Sequence, residues 1–150
     1  MKRVIVIFII ISMLFLSSCG GTGEFFDTLA TERALGKTLV KDFFFLIGND
    51  VEAAKSLLHP NFYAENGGFE AFVEDFKQEH NADILDGISI VGWSGEGSGS
   101  GYYPADDYKY TYQQYRYELI VGLKPMSIYV EVRTDEYGYG IYAFEENIDQ

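Results

Sequence analysis

Two imidazoles, one thiol, and 23 carboxylates against 11 Lys and Arg side chains make up the reactive inventory of this 150-residue chain. His59 stands just ahead of Pro60, and His80 closes the run Glu79-His80-Asn81. At helix C-termini both would serve free carbonyls and the negative end of a helix dipole. Metal binding would need both to converge with carboxylates, and no HxxxH or HxH spacing places two imidazoles on one face. No metal ligand is therefore assigned, and no cofactor pattern is found. The carboxylate pairs Asp106-Asp107, Asp135-Glu136 and Glu145-Glu146 fall at turns or the chain end. Neighbours on a strand point to opposite faces, so these make poor acid/base dyads and read as solvated turn positions. The spaced ligands of a calcium loop are missing. Gly95 to Gly101 lacks the third glycine of a dinucleotide fingerprint and no Gly-Lys-Ser/Thr follows, so residues 95–107 read as a flexible hairpin connection. No nucleophile-elbow motif is present, and no catalytic residue is assigned.

Tyrosine is the unusual side chain. Of 12 in the chain, only Tyr63 precedes residue 100. Tyr108, Tyr110 and Tyr112 alternate along one segment, and Tyr137 and Tyr139 alternate near the end. Half-buried strands favour tyrosine for packing alone. A rigid ring with a polar tip also suits a binding face, for which these five tyrosines are candidates with Trp93 as its anchor. Both readings stand at this level.

The elements that would position these residues follow from periodicity. Phe25 to Ile47 has helical spacing, with Leu35, Leu39 and Phe43 on one stripe and Val40, Phe44 and Ile47 beside it. Gly48-Asn49-Asp50 stops it, and Asn49 or Asp50 can cap a second helix from Val51 to Leu58, ended by Pro60. Asn66-Gly67-Gly68 opens a third helix carrying Phe69, Phe72, Val73 and Phe76 at i, i+3, i+4, i+7. Alternation then replaces it: a strand from Ile84 to Ser94, a long strand from Tyr108 to Val121, a turn at Lys124-Pro125, a strand with Met126, Ile128, Val130 and Val132 on one face, and a last strand from Tyr137 to Phe144. The hydrophobic phase flips at Gln113-Gln114, which predicts a β-bulge there. Helices followed by three or four antiparallel strands predict an α+β domain with the helices packed on a curved sheet.

Composition narrows the function. A net charge of −12 and a pI near 4.4 disfavour nucleic acid, because phosphate contacts need Lys/Arg clusters. One cysteine rules out an intrachain disulfide and a Cys-rich zinc site. Hydrophobic residues at 47% and aromatics at 17% argue for a packed core rather than disorder. The acidic surface favours a basic partner.

Lys2 and Arg3 precede the apolar run Val4 to Leu16, which as a helix rises about 20 Å, short of a bilayer core of roughly 30 Å. It reads as a secretory leader. Leu16-Ser17-Ser18-Cys19 resembles the bacterial lipoprotein lipobox, and the only cysteine stands at the position that motif requires. The resemblance implies a signal peptide over residues 1–18, lipid on Cys19, a short linker over 19–24 and membrane anchoring at the cell envelope, facing outside the cytoplasm. Gly20 lacks the aspartate that marks inner-membrane retention in enteric bacteria. The plainer alternative is an ordinary signal peptide with an incidental thiol.

The helix order, with Gly48-Asn49-Asp50-Val51-Glu52-Ala53-Ala54, Leu57-Leu58-His59-Pro60-Asn61-Phe62 and Gly68-Phe69, resembles the nuclear transport factor 2-like superfamily over residues 25–150. That resemblance implies a cone in which a curved sheet wraps the long helix around a pocket. It carries over no active site: the first helix holds no tyrosine, and no strand carrying an aspartate precedes Ile84. With no convergent catalytic set in the chain, the domain reads as a non-catalytic module for a small apolar ligand or a basic protein. The resemblance also implies a homodimer through the outer sheet face, where Tyr129 and Tyr117 would serve. The alternatives are an isomerase- or dehydratase-type enzyme using the cone pocket, and an inhibitor or immunity-type protein for a basic target.

Overall fold

The computed structural model describes residues 20–103 and 107–146 of the chain, which forms two compact units, 1–35 and 36–150. In the first unit, residues 20–35 belong to helix α1, Gly20–Leu46, and Leu35 is exposed. The second unit contains the rest of α1, then α2 (Val51–Lys55) and α3 (Gly68–His80). Four strands follow: β1 (Ile88–Tyr103), β2 (Tyr108–Val121), β3 (Lys124–Asp135) and β4 (Gly138–Glu146). The sheet runs β1-β2-β3-β4 with every neighbour antiparallel. Helices first and a four-stranded antiparallel sheet after them make the α+β fold that the periodicity predicts.

Helix boundaries follow local chemistry. In the second unit α1 buries Val40, Phe43 and Phe44, and Ile47 just past its end completes the i, i+3, i+4, i+7 stripe of an amphipathic helix. It starts at Gly20 rather than Phe25, taking in residues expected to be linker, and Leu35 drops out of the buried stripe. Asp50 caps α2 by accepting the Ala53 N–H at 3.0 Å. That helix ends at Lys55, three residues before the expected end, because the chain leaves it to run beside β4. Left-handed Gly67 lets the chain enter α3, and left-handed Asn81 closes it. Rings fill the space between these helical segments and the sheet. Phe72 stacks on Phe144 at 5.2 Å, Phe43 meets Phe144 at 5.2 Å, and Phe44 stands edge-on to Tyr117 at 5.4 Å.

Four expectations about the sheet are corrected. The Gly/Ser segment is strand, paired residue by residue with β2 from Gly95 to Tyr103. Gly101 faces Tyr110 and Gly99 faces Tyr112; a Cβ on Gly99 would stand 2.6 Å from the Tyr112 hydroxyl, and one on Gly101 would overlap the Tyr110 ring. The tyrosines of β2 thus lie over bare glycine backbone and supply the packing that the glycines lack. Next, β2 pairs without slippage through Gln113-Gln114 on both sides, so there is no bulge at that point. The phase flip is a change of buried face: Tyr108, Tyr110 and Tyr112 lie on the outer face, and Tyr115, Tyr117, Leu119 and Val121 on the core face. Register slips occur instead at Ile90/Gly92 and Trp93/Gly95 in β1, and between β3 and β4, where Tyr142 is the extra residue. Finally, Ile84–Asp86 is a 3₁₀ turn capped by Asp83, and the β2–β3 turn lies at Gly122-Leu123, with Gly122 at φ +60°.

Candidate functional site

Residues far apart in sequence meet where the α2–α3 connection crosses β4. The Ile141 N–H donates to the Leu57 carbonyl at 3.0 Å, and the His59 N–H donates to the Ile141 carbonyl at 2.8 Å. This short parallel bridge covers part of an otherwise open sheet edge. Gly140 permits the approach, since a Cβ there would sit 2.6 Å from the Leu58 carbonyl carbon.

The crossing buries His59, which is 2% exposed. Its Nδ1 accepts the Asn61 N–H at 3.1 Å, so Nε2 carries the proton that points at Asp135 Oδ1, 3.0 Å away. The same Oδ1 accepts the N–H groups of Tyr137 at 2.7 Å and Gly138 at 3.1 Å, which closes the β3–β4 turn. Oδ2 accepts the Tyr108 hydroxyl. Burial works to raise the Asp135 carboxyl. The hydrogen bonds from Tyr108 and the Tyr137 N–H, with His59 beside them, outweigh it and hold the carboxyl below its ordinary range. The Tyr108 phenol is pushed up to about 12, by burial first and by its bond to Asp135 next. Two expectations are thereby overturned. His59 is a buried partner of a carboxylate, not a helix cap, and the Asp135 side chain is covered while that of Glu136 stays exposed.

Arg133, 7% exposed, completes the cluster. Its Nε and Nη2 donate to Glu131 Oε1 at 2.9 and 2.7 Å. The guanidinium carbon lies 3.2 Å from the Tyr142 ring centroid and 4.0 Å from that of Tyr110. Tyr108 stacks on Tyr110 at 5.5 Å, Tyr110 neighbours Tyr112 at 6.1 Å, and Tyr137 reaches Tyr108 at 6.0 Å. Tyr108, Tyr110, Tyr112 and Tyr137 are therefore brought together on one surface.

Trp93 and Tyr139 are not part of it. Trp93 is paired with buried Tyr117, which puts it on the core face of the sheet with Lys37 Nζ 3.4 Å over its ring. Tyr139 pairs with Thr134, which alternates with the Arg133 and Asp135 side. Tyr117, a candidate for a dimer face, is wholly buried, while Tyr129 is half-buried with Arg116 at 5.7 Å. His80 packs on Phe76 at 4.4 Å, away from His59. Among the described residues, no three His, Cys, Asp or Glu side chains are grouped to hold a metal. Nor, among them, is any helix long and apolar enough to cross a membrane. Cys19, with the leader 1–18, lies outside the described residues, as do Pro104 to Asp106.

Beside this cluster opens a groove of about 870 Å³. Phe72 and Phe144 line its apolar side, Tyr108, Arg133, Tyr137 and Tyr142 its polar side, and Glu65, Glu136 and Glu145 carry its carboxylates. The sequence reading missed His59, Arg133, Asp135 and Tyr142. His59 and Asp135 read in sequence as a helix cap and a solvated turn position, and their contact spans 76 residues. Comparison with known proteins finds no matching family model, no similar curated protein and no similar solved structure.

Proposed function

We propose that this chain is a lipid-anchored protein of the bacterial envelope whose α+β domain binds a ligand without transforming it, in the groove beside β4. One observation carries the binding assignment: in the wall of a groove of about 870 Å³, Tyr108 and Arg133 are already bonded to Asp135 and Glu131 behind it. Both nitrogens of His59 and both oxygens of Asp135 are engaged within the protein, and Arg133 is bonded to Glu131. A satisfied network of this kind holds a wall in shape. The lipobox-like Leu16-Ser17-Ser18-Cys19 supports the anchor, and the order of helices before strands agrees with the resemblance to the nuclear transport factor 2-like superfamily.

A second reading draws on one feature, the Tyr108 phenol lining the groove and hydrogen-bonded to Asp135. An isomerase- or dehydratase-type enzyme would use such a phenol as its acid. Tyr108→Phe separates the two. As a binding module the variant keeps its ligand affinity within a few-fold; as an enzyme it keeps affinity and loses turnover. The anchor is tested by labelling cells with a palmitate analogue: wild type takes up the label and sediments with membranes, and Cys19→Ser does neither.

A further inference from the structure

We infer that the groove beside β4 takes an organic cation, an alkylammonium or guanidinium head on an apolar stem; this rests on the reading of that groove as a binding site. Three features of the groove argue for it. Six aromatic rings line it, Tyr63, Phe72, Tyr108, Tyr137, Tyr142 and Phe144, and an aromatic face attracts a cation through its quadrupole. Its charges are one guanidinium, Arg133, against three carboxylates, Glu65, Glu136 and Glu145. That guanidinium is neutralised from behind by Glu131 at 2.7 Å, with the buried Asp135 carboxylate held beside it through Tyr108. A cation entering the groove therefore meets net negative charge, and an anion is repelled.

The chain itself supplies the precedent. Arg133 lies between the rings of Tyr142 and Tyr110 at 3.2 and 4.0 Å, so this wall already holds one organic cation by its aromatic faces. Elsewhere along the groove, Tyr63, Phe72 and Phe144 offer further ring surface, with room for a second cation. The apolar surface of Phe72 and Phe144 suits the methylene stem that precedes such a head group, as it does for a snorkelling lysine. A purely apolar ligand would leave the carboxylates unused, and a carboxylate ligand would stand against all three.

The test uses the full chain, isotope-labelled and held in a neutral maltoside detergent, titrated with hexylammonium, hexyltrimethylammonium, 1-hexanol and hexanoate while the amides of Tyr137, Ala143 and Glu145 are followed by NMR. Both cations are expected to shift these amides and to bind at least about tenfold more tightly than hexanol, with hexanoate not binding and with affinity falling as salt is added. The double variant Glu136→Gln/Glu145→Gln, changed at exposed positions, should lose about tenfold in cation affinity and leave hexanol unchanged. Hexanol or hexanoate binding as tightly as hexylammonium at the same amides would overturn the cation assignment and leave the binding site standing. No shift from any of the four probes would overturn both. A blocked Gly-Gly-Lys-Gly-Gly peptide distinguishes the source: tighter binding than hexylammonium supports a lysine of a partner protein, and weaker binding supports a free amine.

Discussion

Tyr117 is fully buried against Phe44, and its hydroxyl has no hydrogen-bond partner among the described residues. Burial pushes its phenol up to about 12. Removing an unsatisfied buried hydroxyl removes a desolvation cost, so Tyr117→Phe should leave stability unchanged or raise it by about 1 kcal/mol in denaturant unfolding. Both Tyr108 and Tyr117 ionise later in the folded chain than in the unfolded one. The stability tied to their protonated forms is complete below pH 10 and is lost as pH rises toward about 12. Alkaline titration of phenolate absorbance should show late-ionising tyrosines, with one fewer in Tyr117→Phe. Asp135 has the opposite sign. Its folded carboxyl lies below the ordinary 3.8, so its contribution is complete above that pH and is lost as pH falls through the lower folded value. Asp135→Ala leaves the His59 Nε2, the Tyr108 hydroxyl and two turn N–H groups without their acceptor, and should cost about 3 kcal/mol. Its unfolding free energy should also fall less steeply between pH 4 and the acid limit than that of wild type.

At the scale of elements, the glycines of β1 are not equivalent. A Cβ added at Gly97 would meet nothing within 4 Å, whereas one added at Gly101 would strike the Tyr110 ring. That ring cannot swing aside, being packed between Tyr108 and Tyr112 with Arg133 at 4.0 Å. Gly97→Thr should therefore stabilise the chain by roughly 0.5 kcal/mol through strand propensity, while Gly101→Thr should destabilise it by roughly 1–3 kcal/mol, as thermal unfolding would show. Helices were legible because Val40, Phe43, Phe44 and Ile47, like Phe69, Phe72 and Phe76, carry a period that needs no partner to be seen. The second half of β1, from Gly95, was not, because a run of Gly and Ser has no alternation, and what packs on it is the ring of Tyr110 or Tyr112 on another strand. The supposed bulge at Gln113-Gln114 failed for a related reason. Tyrosine counts as apolar on either face, so the flip in pattern marked where the core begins rather than an inserted residue.

At the scale of the whole molecule, a charge of −12 vanishes near pH 4.4, where self-repulsion no longer keeps chains apart. Because the stability from Asp135 is intact above 3.8, precipitation at that pH should be of folded protein. Neutralisation should redissolve it with an unchanged circular dichroism spectrum. The sequence by itself determined the class of fold, since helical and alternating periods are local properties of the chain and their order leaves α+β as the outcome. It also determined most of the outer tyrosine surface, because Tyr108, Tyr110 and Tyr112 alternate on one strand. Only the tertiary structure decided that Trp93 and Tyr139 stand apart from it, that Asp135 leaves the solvent, and that His59 reaches it from 76 residues away. A buried polar group is set by what it can bond to, and His59 and Asp135 become neighbours only when the α2–α3 connection is laid against β4 over Gly140.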